Sequence, residues 1–179
     1  MSTIIGAVKI LFGNLMCKID ANKYARRIGV VLGNNVRFYG MSVKTFDMDP
    51  WMVTIGENCK ISNGCRFVTH DGSAMILRNK IPDLEYAAPI HLGKNTYLGM
   101  EALLLPGTVL GENCIVGARA VVKGVFPDNC VIAGVPAKII MTLDEYESKM
   151  IKKSTHTGHL RGEERRSKLR ALYSAEAIK

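Results

Sequence analysis

A period of six residues, running from Leu92 to Pro127, constrains the fold of this chain more than any other feature of its sequence. Each piece of six begins with an aliphatic residue: Leu92, Leu98, Leu104, Leu110, Val116 and Val122. One aliphatic residue in six fits neither an amphipathic helix nor an alternating strand, so the pattern predicts a coil that turns a corner every sixth residue and points each aliphatic side chain at its axis. Gly follows the aliphatic residue in four of the six pieces, and Thr, Ala or Cys lies four positions after it in five. These small residues let successive coils stack closely.

The same signature occurs earlier in the chain, with two interruptions. Earlier hexads begin at Leu32, Phe38, Ile55, Ile61 and Phe67. The rhythm breaks between residues 44 and 53, and again in a loop over residues 73–85 before it resumes at YAAPIH. An insertion of that length inside a strict repeat is more often functional than decorative, so we expect this loop to have a role in function.

The hexads and the closing segment PDNCVIAGVPAKII resemble those of the hexapeptide-repeat acyltransferases, in particular the xenobiotic and polysaccharide O-acetyltransferase branch. The resemblance covers residues 28–140. It implies an all-β fold, a left-handed parallel β-helix with three hexads per triangular coil, and a homotrimer whose active sites lie between subunits. It also implies that the loop over residues 73–85 reaches a neighbouring subunit.

The chain is accordingly divided into three segments. Residues 1–27 form an N-terminal amphipathic helix and a basic link, residues 28–140 form the acyltransferase domain, and residues 141–179 form a helical, basic C-terminal tail. We expect the tail to cap the open end of the coil, because an uncovered end coil would offer unpaired strand edges.

An apolar stripe follows the predicted N-terminal helix, and Lys9, Asn14 and Lys18 fall off it. The stripe consists of Ile4, Ile5, Val8, Leu11, Phe12, Leu15, Met16 and Ile19. We expect the stripe to dock on the β-helix or on a neighbouring subunit. The alternative is peripheral attachment of residues 4–19 to the inner face of a membrane. No positive region precedes the apolar run and no cleavage site follows it, so a signal peptide is not expected.

Composition excludes several classes of function. The net charge of +8 does not by itself indicate nucleic-acid binding, because much of the basic excess lies in the tail after Met150 and no nucleic-acid motif is present. The five cysteines form an odd set without a CxxC pair, and three of them occupy the small position of a hexad. We therefore expect buried thiols in a reducing, cytoplasmic compartment rather than disulfides. No stretch is long enough to span a bilayer.

His70 lies in FVTHDGS, in the last regular hexad before the loop. The family resemblance implies that His70 is the general base, because a neutral imidazole must take the proton of an acceptor hydroxyl as its oxygen attacks a thioester carbonyl. The irregular segment TFDMDPWMV either covers the coil edge or helps to form an acceptor pocket. In the second interpretation Asp47 or Asp49 contacts hydroxyls of the acceptor, beside Trp51.

The resemblance also implies a groove for acetyl-coenzyme A between adjacent β-helices. Met100 and Ala102 match positions along the pantetheine arm, and Ala118 and Ala120 match positions where it meets backbone amides. Tyr97 stands where many members of the family have Trp. Met100 replaces a frequent Ser, and one backbone amide of residues 99–102 is expected to stabilise the oxyanion.

Two lysines match the positions at which the phosphates of coenzyme A are bound. Lys123 and Lys138 bring positive charge to an otherwise aliphatic part of the repeat. A lysine ammonium acts there as a point charge. Glu101, by contrast, is expected to be an exposed corner carboxylate, and His91 an exposed surface residue.

These observations predict an acetyl-coenzyme A-dependent O-acetyltransferase that acts on a sugar hydroxyl by direct transfer, in the assembly of surface polysaccharides. An antibiotic hydroxyl and the amine of a nucleotide sugar remain open as acceptors, and a non-enzymatic β-helical scaffold trimer is the alternative from another class. A zinc hydratase built on the same coil requires three histidine ligands. Only His70 and His91 lie in the repeat region, so no metal is expected.

Overall fold

The computed structural model describes the backbone of residues 2–174 and the side chains from Gly6 onwards. Its centre is a three-sided β-helix whose faces are stacks of short parallel strands. Face A stacks β1 (Val31–Leu32), β3 (Val53–Ile55), β6 (Ile90–Leu92), β9 (Val109–Leu110) and β12 (Val125–Phe126). Face B stacks β2 (Arg37–Phe38), β4 (Lys60–Ile61), β7 (Tyr97–Leu98), β10 (Ile115–Val116) and β13 (Cys130–Gly134). Face C stacks β5 (Arg66–Phe67), β8 (Leu103–Leu104) and β11 (Val121–Val122).

The core of the β-helix is the column of aliphatic side chains that the hexads supply. Leu98, Leu104 and Val116 are fully buried, and Leu92 lies opposite Leu110 on the next coil. Burial of such a side chain contributes about 1.5–3 kcal/mol relative to exposure, so the column is the main source of stability for an element most of whose strands are only two or three residues long. The period of six is therefore confirmed as the determinant of the coil.

Close stacking of the coils requires glycine at the corners. A Cβ placed on Gly99 would lie 2.5 Å from the backbone nitrogen of Ala118 on the next coil. No real Cβ contact is that short, so any other residue at position 99 would push two coils apart.

The period of six residues ends at Val122, although the sequence pattern predicts that it continues to Pro127. Phe126 pairs with Leu110, sixteen positions before it, whereas Leu110 pairs with Leu92, eighteen positions before it. The corner after Val122 is two residues shorter than the others, and Gly124 takes a φ of 107° there. The sixth predicted hexad, VKGVFP, is therefore wrong as an equal piece, because a tight glycine corner replaces a full one. The last strand, β14 (Ala137–Thr142), runs antiparallel to β13 and ends the sheet of face B.

The N-terminal helices are α1 (Ser2–Ile19) and α2 (Ala21–Arg27). The predicted docking of the α1 stripe on the chain's own β-helix is wrong. The face of α1 that packs is the opposite one, where Gly13 lies against Val43 and Asn14 Oδ1 accepts a hydrogen bond of 3.1 Å from the Val43 amide. The physical reason is that small Gly13 permits a close approach that the bulky stripe does not. Docking of the stripe on a neighbouring subunit remains a prediction, and the side chains of Ile4 and Ile5 lie outside the described residues.

The loop between β5 and β6 begins with a 3-10 helix, Gly72–Leu77. Arg78 Nε donates to the Leu84 carbonyl at 3.0 Å and closes the loop on itself. Its apolar side chains are exposed in the single chain, with Ile76 82% and Met75 64% exposed. A second short 3-10 helix, Pro50–Met52, lies in the earlier irregular segment.

The described residues after Leu143 form a separate compact unit. Its helices are α3 (Leu143–Lys153) and α4 (Gly162–Leu172), and within α4 Glu163 pairs with both Arg166 and Arg170. Among residues 2–174 no helix is both long and apolar enough to cross a membrane.

Candidate active site

His70 lies at the edge of the prism where face C turns towards face A, which we call the CA edge. The returning strand of the loop holds its backbone: His70 bridges with Ala87, and the amides of Asp71 and Ala88 donate to the carbonyls of Tyr86 and Thr69. About a quarter of the imidazole is exposed. The loop therefore fixes a partly solvent-accessible histidine at this edge.

The carboxylate of Asp47 faces this histidine. His70 Nδ1 lies 3.2 Å from Asp47 Oδ2, and the two side chains are 25% and 27% exposed. Nδ1 is buried and has no hydrogen-bond partner among the described residues. The contact with Asp47 is short enough for an ion pair, but its angles are not those of a hydrogen bond. The carboxylate therefore acts on the imidazole mainly through its charge and proximity. A carboxylate at Nδ1 favours the tautomer with the proton on that nitrogen and leaves the Nε2 lone pair free to accept a proton.

Backbone pairing one coil earlier positions Asp47. Phe46 bridges with Phe67, their rings stack at 4.9 Å, and the Asp47 amide donates to the Phe67 carbonyl at 3.1 Å. The sequence predicts that Asp47 or Asp49 contacts the acceptor. The structure places Asp47 against His70, and its contact with an acceptor stays a prediction. The hexad count carried no signal for this pair, because the rhythm is broken between residues 44 and 53.

The neighbouring Asp71 has a structural role. Its side chain accepts hydrogen bonds from Ser73 Oγ at 2.6 Å and from the Ser73 amide at 3.0 Å, and so caps the 3-10 helix of the loop. These hydrogen bonds from Ser73, with a smaller contribution from the charge of Lys123, lower the pKa of Asp71. A carboxylate held ionised and exposed in this way is unsuited to serve as a base.

Lys123 belongs to the same edge as His70. Its Nζ lies 5.7 Å from the centroid of the Tyr86 ring and close enough to Asp71 to affect its pKa. The structure therefore brings Lys123 near the part of the CA edge that holds His70. Lys138 lies elsewhere, exposed in β14 opposite Ala133 at the end of face B.

The four residues predicted for the pantetheine arm lie at a different edge, where face B turns towards face C, which we call the BC edge. The side chains of Ala102 and Ala120 are buried in the core, whereas Met100 and Ala118 are exposed. Glu101 forms an exposed ion pair of 2.7 Å with a residue of the next coil, Arg119. This position agrees with the expected corner carboxylate.

Three of the four backbone amides of residues 99–102 donate hydrogen bonds within the described chain, which leaves one of the four predicted oxyanion donors free. The amide of Gly99 donates to Val116, that of Glu101 to Asn63, and that of Ala102 to Gly99. Within the described residues, the Met100 amide is the one of these four for which no acceptor in the chain is found. It can therefore donate to a ligand.

The remaining predicted residues are spread over the prism. Tyr97 lies on face B, 40% exposed, and its hydroxyl accepts a hydrogen bond of 3.0 Å from Ser62 Oγ. Asp49 precedes the 3-10 helix Pro50–Met52, and Trp51 is 65% exposed beside Gly29. In the part of the chain that the structure describes, no cluster of three or more His, Cys, Asp or Glu side chains could hold a metal ion.

The structure thus divides the predicted site between two edges. His70, Asp47 and Lys123 lie together at the CA edge, and Met100 and Ala118 lie at the BC edge. Two edges of a triangular prism cannot face the same ligand within one chain. They can do so when the CA edge of one copy lies against the BC edge of another.

Comparison with known proteins agrees with this fold. Residues 89–124 match the family model described as bacterial transferase hexapeptide, six repeats. Protein CapG of Staphylococcus aureus is 36% identical over 159 residues, which cover 89% of this chain and 92% of CapG. WbbJ of Escherichia coli (strain K12), named for a proposed role as a lipopolysaccharide biosynthesis O-acetyl transferase, is 36% identical over 57% of this chain and 56% of its own length.

Two solved structures share the fold at low identity. A hexapeptide-repeat-containing acetyltransferase from Vibrio cholerae superposes with a TM-score of 0.58 at 20% identity, over 79% of this chain and 89% of that one. A maltose O-acetyltransferase from Clostridium difficile 630 gives 0.50 at 24% identity, over 75% and 88%. A β-helix of stacked hexapeptide coils is the fold that these two structures share with the chain. The chain belongs to the family of bacterial hexapeptide-repeat transferases and is an acyltransferase.

Proposed function

We propose that the protein is an acetyl-coenzyme A-dependent O-acetyltransferase that transfers an acetyl group to a sugar hydroxyl in the assembly of surface polysaccharides. The observation that carries the proposal is the His70–Asp47 pair at the CA edge, with 3.2 Å between Nδ1 and Oδ2. The similarity to WbbJ supports a saccharide acceptor. The family relationship further supports a left-handed coil and a homotrimer.

The chain's own residues divide the chemistry as follows. His70 Nε2 accepts the proton of the acceptor hydroxyl while the hydroxyl oxygen bonds to the thioester carbonyl carbon. Asp47 stabilises the imidazolium that forms. When the carbon–sulfur bond breaks, the same imidazolium returns its proton to the departing thiolate, so the base is regenerated and no acyl-enzyme is needed.

The BC edge of a neighbouring subunit completes this site in the proposal. The Met100 amide is the donor for the oxyanion, because the other three amides of residues 99–102 are engaged within the chain. Exposed Ala118, with its small side chain, leaves the backbone accessible to the pantetheine arm. The exposed loop residues Met75 and Ile76 supply apolar surface for the contact between subunits.

The test compares two histidine variants of the intact protein. His70→Ala should lower the rate of acetyl transfer about a hundred- to ten-thousandfold, which is typical of a lost general base, and should leave the melting temperature unchanged. His91→Ala is the matched control, since His91 is exposed on face A. Thiol release with a panel of sugars, nucleotide sugars and antibiotics gives both the rates and the acceptor. Near wild-type activity in His70→Ala would remove His70 from the mechanism, and a parallel fall in melting temperature would make it structural.

A further inference from the structure

Helix α1 presents an apolar stripe that nothing in the described structure covers. Five described members of the stripe are exposed, with fractions from 52% for Leu15 to 74% for Leu11: Val8, Leu11, Phe12, Leu15 and Ile19. A contiguous apolar face of this kind is rare on a soluble chain and marks a site of interaction.

The orientation of the helix is fixed by its opposite face. Gly13 lies against Val43, Asn14 Oδ1 accepts from the Val43 amide at 3.1 Å, and Cys17 is 5% exposed. Because these three residues pack against the rest of the chain or are buried, α1 cannot turn its stripe inwards without losing those contacts. The stripe is therefore held outwards.

The charges beside the stripe indicate what kind of surface covers it, a membrane or a second copy of the chain. At about 100° per residue, the stripe occupies an arc of about 100° on the helix, with Lys18 at one margin and Lys9 at the other. Helix α1 has no acidic residue, and the short helix that follows adds Lys23, Arg26 and Arg27. The acidic residue between the two helices, Asp20, is engaged as the cap of α2.

An apolar arc with cationic margins is complementary to an anionic lipid surface. The apolar side chains enter the boundary between headgroups and acyl chains, and the lysine stems extend so that their ammonium groups meet the phosphates. A second copy of the chain is a poorer occupant, because stripe-to-stripe packing would bring like charges together at both margins. We propose that α1 docks the protein on an anionic membrane surface, lying in its plane. This inference does not depend on the acetyl-transfer reaction.

The test measures flotation of the full-length protein with vesicles of phosphatidylcholine and phosphatidylglycerol, and with vesicles of phosphatidylcholine alone. We expect binding to the anionic vesicles that weakens as salt rises, and little binding to the neutral ones. Leu11→Glu should lower the partition coefficient by at least about tenfold, because it places a charge at the most exposed position of the stripe. Lys9→Gln together with Lys18→Gln should lower it by about thirtyfold and flatten the salt dependence.

The matched control is Val125→Glu, which makes the same kind of change at an exposed apolar side chain on face A, 77% exposed. It should bind vesicles like the wild type. Binding that Leu11→Glu does not reduce would assign the attraction to the basic tail and overturn the proposal. If the wild type does not bind anionic vesicles at low salt, and Leu11→Glu has a smaller mass than the wild type in light scattering, the stripe is an interface between copies of the chain and the proposal is overturned.

Discussion

Asp47→Asn separates the two roles proposed for this residue, which are support of the charge on His70 and contact with the acceptor. The change keeps the size of the side chain and removes its charge. At 3.2 Å, the attraction between the carboxylate and an imidazolium is about 1 kcal/mol in bulk water and about 5 kcal/mol at an effective dielectric constant of ~20. Both side chains are about a quarter exposed, so the attraction lies between these limits. Since each 1.4 kcal/mol corresponds to a factor of ten, kcat/KM should fall about ten- to a thousandfold.

The division of this loss between kcat and KM identifies the role. If Asp47 supports the charge that forms on His70, kcat falls, while the KM for acetyl-coenzyme A and the melting temperature stay unchanged. Asp49→Asn is the matched control, two positions along the same segment and without a contact to His70 in the described structure. A rise in the KM for the acceptor at unchanged kcat would restore the sequence prediction that Asp47 contacts the acceptor. Activity within twofold of wild type would refute both roles.

Two further predictions concern cysteine and lysine residues. Burial, with a contribution from the Cys130 thiol 3.7 Å away, raises the pKa of Cys114 from about 9 to about 12. The folded state therefore holds this proton more tightly than the unfolded chain, so the free energy of unfolding should be undiminished below pH 9 and should fall as the pH rises towards 12. Urea titrations at pH 8 and pH 11 should show a smaller fall in this free energy for Cys114→Ala than for the wild type. An equal fall in both proteins would contradict the assignment. Lys123→Ala and Lys138→Ala should each raise the KM for acetyl-coenzyme A more than they lower kcat, an effect that shrinks with salt. If both variants discriminate between coenzyme A and its dephospho form as the wild type does, neither lysine binds the 3′-phosphate.

Most of the β-helix could be predicted from the sequence, because one local rule generates it. Each aliphatic residue that begins a hexad between Leu92 and Val116 must point inwards, so counting in sixes gives the coils. The rule failed at Val122, where Gly124 shortens the corner by two residues. A glycine permits such a turn without requiring it, so the composition of the hexad did not reveal the change.

Contacts between irregular segments could not be predicted in the same way. The stripe on α1 showed that one face of the helix is apolar, but the packed face is chosen by the fit of Gly13 against Val43. The pairing of Asp47 with His70 depends on the bridge between Phe46 and Phe67, which lies outside the regular count. In both cases the deciding contact is a tertiary one with no periodic signal.

In the proposed trimer each active site combines the CA edge of one subunit with the BC edge of the next, and co-assembly of two inactive variants tests this arrangement. His70→Ala removes the proposed base at the CA edge, and Ala118→Trp fills the proposed groove at the BC edge at an exposed position. Each variant alone should be inactive. Random mixing in a trimer would leave about a quarter of the sites with both edges intact, so co-expression should restore about a quarter of the wild-type activity. Activity no greater than that of the separate variants would contradict a site shared between subunits.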